Sequence, residues 1–303
     1  MLFENILFPL DFSPACEQIA PAVEEMRRAM RAQLSLLHSI DLPRPWMSQD
    51  APNQWIDIDA LRGRARERLQ LFADTHFLHG HTNLMVETGD AAEAICRYAQ
   101  QQETDLVMMP THGYGIFRRA LVGSVTTKVL HDAGCAVWTA AHAGTITRRS
   151  CRKILCGIGN LEQPEILRTA AMLADALAAT LTIVHAYPYF AETSSERYER
   201  RIPRRAREHI LQKIDHLQRL VGTHAPVVVA CGEVNEVISE TARRCDADLV
   251  AVGRGSSAHF LGSLQSHLYY IIRSSICPVI ALPGARSQSH EKSIMEEAVG
   301  AEL

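Results

Sequence analysis

The sequence lacks a long apolar run. Its most apolar stretches, such as Ile276 to Pro283, fall well short of the roughly 20 residues that a membrane-spanning helix needs. The opening segment, MLFENILFPLDF, has no basic region and no small-residue cleavage site, so no secretory signal is read. Basic charge is not in excess. With 31 Lys+Arg against 34 Asp+Glu the formal net charge is −3, which excludes a dedicated nucleic-acid binder that works by displacing counterions. There is no Cys-x-x-Cys pair. Cys16, Cys96, Cys135, Cys151, Cys156, Cys231, Cys245 and Cys277 are scattered, several in apolar runs. They read as buried or incidental free thiols of a reduced, cytoplasmic protein. Neither a GxxxxGK[ST] run nor a complete GxGxxG is present, since Gly157-Ile158-Gly159 has no third glycine. No Ser-His-Asp order or carboxylate pair argues for a hydrolase. The absence of HIGH-like and KMSKS-like motifs and of an evident Mg²⁺-binding acidic cluster argues against a nucleotidyl transferase.

What is present is ordinary globular composition, 47% hydrophobic and 21% charged over 303 residues, enough for about two domains with their own cores. The chain contains one unit twice. Ile6-Leu7-Phe8-Pro9-Leu10-Asp11 returns as Ile154-Leu155-Cys156-Gly157-Ile158-Gly159, and Leu36-Leu37-His38 as Ile183-Val184-His185. Gly89-Asp90-Ala91 returns as Gly232-Glu233-Val234, Asp105-Leu106-Val107 as Asp248-Leu249-Val250, and Cys135-Ala136-Val137 as Cys277-Pro278-Val279. The order is kept and the spacing drifts by only a few residues, as loop insertions would produce. Residues 1–140 form the first unit, 141–151 a linker, 152–283 the second unit and 284–303 a mobile tail.

Each unit reads β-α-β-α-β-α-β-α-β. In the first, strands are expected at Asn5 to Leu10, Leu34 to Ser39, Leu84 to Glu87, Leu106 to Met109 and Ala136 to Ala140. Helices are expected at Pro14 to Ala32, Leu61 to Phe77, Ala92 to Gln101 and Ser124 to Asp132. Short apolar strands alternating with longer helical segments specify an α/β fold, with two tandem doubly wound parallel five-stranded sheets. Asp41 to Asp57 is a proline-rich loop whose Trp46 and Trp55 pack or cap a pocket.

In such a sheet a ligand sits beyond the carboxyl ends of the strands, where strand order reverses. In unit 1 the first strand ends in Pro9-Leu10-Asp11-Phe12-Ser13 and the fourth in Met109-Pro110-Thr111-His112-Gly113. A nine-residue spacer, YGIFRRALV, leads to Gly123-Ser124-Val125-Thr126 at a helix start. The aspartate can accept from ribose hydroxyls or an adenine amine. A glycine-containing loop lets backbone approach phosphate, and the helix start adds free N–H groups and the positive dipole end. These parts describe a nucleotide site.

At these residues the chain resembles the universal stress protein family, over both units. The family's nucleotide motif is Gly-x-x-Gly, nine residues, then Gly-Ser or Gly-Thr. Here Gly113, Gly123 and Ser124 match it, and Pro110 replaces the first glycine, which removes one N–H and fixes φ. The resemblance implies an adenine nucleotide alpha hydrolase-like, Rossmann-like fold packed as a pseudo-dimer, the last strands (Ala136 to Ala140, Val279 to Leu282) meeting within one chain. It implies ATP, ADP or AMP in unit 1, with or without Mg²⁺, held by Pro9, Leu10, Asp11, Ser13, Ser39, Met109, Pro110, Thr111, His112, Gly113, Gly123, Ser124, Val125 and Thr126. The role implied is a regulatory binding module in stress response with an unidentified protein partner, as a monomeric pseudo-dimer or a homodimer. Unit 2 departs from the motif. Gly159 replaces the aspartate, its loop reads Gly253-Arg254-Gly255-Ser256, and Gln265-Ser266 stand where Gly-Ser belongs, with Gly262-Ser263 out of register.

Two other functions stay open: a scaffold that binds partners without nucleotide, and a slow ATPase with His112 as proton acceptor. Arg118 and Arg119 reach phosphate or solvent. His76, His79 and His81 read as surface histidines rather than a metal site, and His38 and His185 as hydrogen-bonded structural ones. The run Arg200-Arg201-Ile202-Pro203-Arg204-Arg205 reads as a solvated face.

Overall fold

The computed structural model describes residues 2–41, 57–77, 82–111, 122–140, 150–187, 202–254 and 263–284. The tryptophans Trp46 and Trp55, His79, His81, Arg118, Arg119, most of the linker, Arg200, Arg201 and the tail from 285 lie outside them. In unit 1 the elements are β1 (Asn5–Pro9), α1 (Pro14–Met30), β2 (Gln33–Ile40), α2 (Ile58–His76), β3 (Thr82–Thr88), α3 (Ala91–Gln101), β4 (Leu106–Pro110), α4 (Ser124–Asp132) and β5 (Ala136–Ala140). Unit 2 repeats them as β6 (Lys153–Gly157), α5 (Glu165–Ala176), β7 (Thr180–Tyr187), α6 (Arg204–Val221), β8 (Val227–Cys231), α7 (Val234–Cys245), β9 (Leu249–Gly253), α8 (Ser263–Ser274) and β10 (Val279–Leu282). The expected elements are all present, displaced at most a few residues at their ends.

The strands form one ten-stranded sheet, ordered β3-β2-β1-β4-β5-β10-β9-β6-β7-β8. Every pairing is parallel except β5 with β10, where Trp138 lies opposite Ile280. The final strands of the two units therefore meet, and neither is left as an exposed edge. Two apolar layers cover the faces. One packs α1, α2, α5 and α6 through Ile19, Val23, Leu69, Leu173 and Ile214. The other packs α3, α4, α7 and α8 through Ile95, Val129, Ile238 and Ile272. Helical spacing of these side chains gives each helix a single buried stripe.

The recurring sequence pairs have recurring structural roles. The Asp105 carboxylate accepts the N–H groups of Glu4 and Asn5 at 2.7 and 2.9 Å, and Asp248 accepts those of Arg152 and Lys153, both at 2.9 Å. In each unit this aspartate ties the start of the fourth strand to the start of the first. The two histidines also match. His38 Nδ1 lies 2.7 Å from the Leu10 carbonyl and His185 Nδ1 2.7 Å from the Ile158 carbonyl. Each Nδ1–H donates to the turn that leaves the first strand, so both histidines hold that turn in place.

Candidate functional site

Strand order within unit 1 reverses between β1 and β4, so the crevice beyond their carboxyl ends is where a doubly wound sheet binds ligands. The two strands pair only at their entry, Ile6 with Leu106 and Leu7 with Val107. Beyond that point they separate.

Asp11 is exposed at the β1 side of this opening. Its Oδ1 accepts the Ser13 N–H at 2.9 Å and the Cys16 S–H at 3.2 Å. Both bonds use one oxygen and orient the carboxylate. The turn that presents it runs through Phe12, at φ 60°, a left-handed conformation uncommon outside glycine. The Phe12 ring contacts His38 (centroids 4.7 Å apart) and lies 4.1 Å from the Arg68 guanidinium carbon, a cation–π arrangement. Burial and then the adjacent Asp11 charge push the Cys16 thiol up to about 12, so Cys16 stays a protonated donor to the carboxylate. Arg68 and Cys16 were not legible here, because nothing in their spacing marks them as neighbours of Phe12 and Asp11.

The β4 side is built around the start of α4. Gly123 is the N-cap residue and Ser124, exposed, opens the helix. The first-turn N–H groups of Ser124, Val125 and Thr126 have no partner within the helix. Gly123 N–H donates to the Thr111 carbonyl at 2.8 Å. The Thr126 hydroxyl, buried, donates to the Pro110 carbonyl at 3.1 Å, and the buried Thr111 hydroxyl donates to the Ala140 carbonyl at 3.0 Å. The first two contacts dock α4 on the end of β4, and the third ties that end to β5.

The expected site residues thus divide. Asp11, Ser39, Gly123, Ser124 and Val125 are at least partly accessible at the strand ends. Pro9, Leu10, Ser13, Met109, Pro110, Thr111 and Thr126 are buried and support the opening from beneath. His112 and Gly113 lie outside the described residues. Ser39 donates to the Gly89 carbonyl at 2.8 Å, which ties the end of β2 to the turn after β3. Pro110 closes β4 opposite Ala140. Thr111 N–H points to β5, where it meets the Ala140 carbonyl. Alternation along the strand then directs the position of the missing Pro110 N–H toward β1, into the opening, so no ladder bond is lost there.

Unit 2 has the same switch point between β6 and β9 with different contents. Gly159 stands for Asp11, and Ala186 follows His185 where Ser39 follows His38. A Cβ on Gly157 would lie 3.0 Å from Val252 and 3.1 Å from Ile238, and one on Gly253 3.1 Å from Ile166. Aliphatic side chains occupy that space. Because α8 starts at Ser263, Gln265 and Ser266 lie inside its first turn, and Ser263 takes the place that counting back from Cys277 gives to Gln265-Ser266. The helix gains residues at its start. Gly255, Ser256 and Gly262 lie outside the described residues. Among the described residues no group of three or more His, Cys, Asp or Glu could hold a metal ion, and no helix is long and apolar enough to cross a membrane.

The family profile that matches is that of the Universal stress protein family, over residues 2–140 and again over 150–283. Universal stress protein Sll1654 of Synechocystis is 27% identical over 137 residues, covering 45% of this chain and 85% of the relative. Universal stress protein MJ0531 of Methanocaldococcus jannaschii is 26% identical over 140 residues, covering 45% and 81%. Each relative corresponds in extent to one unit. The crystal structure of a universal stress protein from Archaeoglobus fulgidus superposes with a TM-score of 0.69 at 20% identity, covering 92% of this chain and 98% of that one. A functionally unknown protein, PA1789 of Pseudomonas aeruginosa, gives 0.64 at 15% identity over 97% and 98%. Those two likenesses span both units and concern the fold. With both halves matched in sequence and the paired sheets in place, the chain belongs to the universal stress protein family as a tandem member.

Proposed function

We propose that the protein binds one adenine nucleotide, ATP, ADP or AMP, at the switch point of unit 1 and acts as a regulatory binding module. The observation that carries this reading is the oriented Asp11 carboxylate at the end of β1, next to the strand whose end carries the open first turn of α4. Asp11 and Ser39 would hold the adenosine. The N–H groups of Ser124 to Thr126 and the Ser124 hydroxyl would hold phosphates, with or without Mg²⁺ between them, and His112-Gly113 would close the loop. Bound nucleotide stabilises the folded chain by mass action and offers a partner protein an altered surface to read. Family membership supports a role in stress response, and a reducing, cytoplasmic location fits the eight free cysteines.

The test is to denature the purified protein, identify any released nucleotide, and titrate the native protein with ATP, ADP and AMP. One site per chain, lost in Asp11→Ala with the fold intact, is the expected result. Two sites would mean that unit 2 is live despite Gly159. No binding would move the function to a nucleotide-independent interaction scaffold. That second reading is favoured by one feature, the N–H that Pro110 removes from the opening. Turnover that survives Asp11→Ala would not belong to this site.

A further inference from the structure

Unit 2 touches helix α4 of unit 1 at both ends. Arg254 follows β9 in the place that Thr111 has after β4. Its N–H donates to the Leu282 carbonyl at 2.9 Å as that of Thr111 does to Ala140 at 3.2 Å, so the backbones correspond. The side chains do not. The Thr111 hydroxyl stays within its own unit. The Arg254 guanidinium crosses into unit 1, where Nη1 donates to the carbonyls of Leu130 (3.1 Å) and Ala133 (2.6 Å) and Nη2 to that of Cys135 (2.6 Å). Leu130 is in the last turn of α4 and Ala133 is its C-cap residue. Their carbonyls lie at the negative end of the helix, where its own amides run out. At the other end the Val122 N–H donates to the Tyr269 hydroxyl of α8 at 3.4 Å, one residue before the Gly123 N-cap.

α4 has nine residues, too short to hold itself as a helix in water. Its placement depends on what grips it. Gly123 and Thr126 fix the first turn to β4, and at the last turn unit 2 adds its hydrogen bonds to the core packing of Val129 and Leu130. Burial draws the Arg254 guanidinium below its ordinary value, yet an arginine this far from neutral pH keeps its charge. A half-buried cation among carbonyl oxygens is a fixed, directional contact.

We propose that unit 2 is the positioning half of the nucleotide site. Arg254, assisted by Tyr269, holds α4 so that its first-turn N–H groups stand where phosphates bind, and unit 2 thereby sets the phosphate affinity of unit 1. This rests on the nucleotide reading of unit 1. It also gives Arg254 a role: the position that Thr111 fills in unit 1 carries here a side chain that reaches the neighbouring unit. Arg254 is a positioning residue, since it acts through α4.

The distinguishing readout is phosphate dependence. Asp11 and Ser39, the proposed adenosine contacts, stand on elements that these bonds do not involve. Calorimetric titration of the full chain with ATP and with adenosine would compare the natural protein with Arg254→Ala, Arg254→Lys and Tyr269→Phe. Arg254→Ala is expected to weaken ATP about tenfold, the size of one lost charge-assisted bond, and to leave adenosine unchanged. Arg254→Lys should recover part of the loss, because an ammonium cannot reproduce the fork, and Tyr269→Phe should show a smaller ATP-selective loss. Equal losses for ATP and adenosine, or no loss for ATP, would overturn the inference while leaving the nucleotide reading in place. A natural protein that binds neither ligand would refute the reading itself and the inference with it. Should Arg254→Ala fail to fold, Arg254→Lys and Tyr269→Phe carry the same comparison.

Discussion

Replacing Gly123 by alanine probes how the start of α4 is built. Its backbone, at φ −61° and ψ 153°, is open to every residue, so conformational freedom is not what calls for glycine. Space is. A Cβ there would stand 2.9 Å from the Thr111 carbonyl oxygen, against an ordinary contact of 3.4 Å or more. That oxygen cannot retreat freely, since it accepts the Gly123 N–H at 2.8 Å and the Thr126 hydroxyl at 3.4 Å. Overpacking of this kind costs about 1–3 kcal/mol, and a stretched backbone bond adds about 1 kcal/mol. Reduced freedom of the unfolded chain returns about 0.4–1 kcal/mol. The net expectation is a loss of about 1–3 kcal/mol, read as a lower midpoint in urea unfolding followed by circular dichroism. The control is Gly159→Ala after β6 in unit 2, where a Cβ meets nothing within 4 Å. It should be neutral or stabilising by up to about 1 kcal/mol. Equal midpoints for the two variants would refute the close-approach argument and leave ligand contact as the reason for Gly123.

Gly63 lies inside α2, where an added Cβ would meet nothing within 4 Å, so Gly63→Ala should raise stability by about 0.5–1 kcal/mol, and an unchanged urea midpoint would contradict this. Burial works to raise the Glu24 carboxyl, but hydrogen bonds from Arg27 and Arg28 prevail and hold it below its ordinary 4.5. A depressed folded value means stability that is present above the unfolded value and lost as pH falls through the folded one. The stability gap between the natural protein and Glu24→Gln should therefore be widest near neutral pH and shrink below pH 4.5, and a gap that grew on acidification would reverse the assignment. Burial also pushes the thiols of Cys16 and Cys156 up to about 12, so alkylation at mildly alkaline pH should spare both until denaturant is added. Mass spectrometry showing early modification at either would contradict their burial.

Much of the fold was legible because its signals are local. Ile6 to Pro9 and Leu106 to Met109 are apolar without alternation since both faces are covered, and α4 and β5 fall on the expected residues because turn signals bound them. The repeat also carried its own explanation, with Asp105 and Asp248 or His38 and His185 recurring because each makes the same backbone contact in its unit. The candidate site was legible only where a motif named it. Ser13, Thr111 and Thr126 have the right chemistry for a nucleotide and stand in the right segments, yet their side chains turn inward. Position along a loop does not fix which way a hydroxyl points. Long-range partners were least visible: Arg254 is over a hundred residues from Leu130, and no local pattern announces that contact.

The two units face different constraints, and their switch points differ in content. β5 is apolar but for Thr139 and buried along Ala136 to Ala140, and β10 pairs with it. Unit 1 alone would present that strand as an open apolar edge, a template for aggregation. Unit 2 is therefore needed for its last strand whatever happens at its switch point. The crevice between β6 and β9 carries no such requirement, and there the aspartate has given way to Gly159, while Ile166, Ile238 and Val252 crowd the glycines. Arg254 lies where both conditions meet, at the end of β9 beside β10, close enough to the seam for its side chain to reach α4. At that position the side chain serves the helix of the other unit.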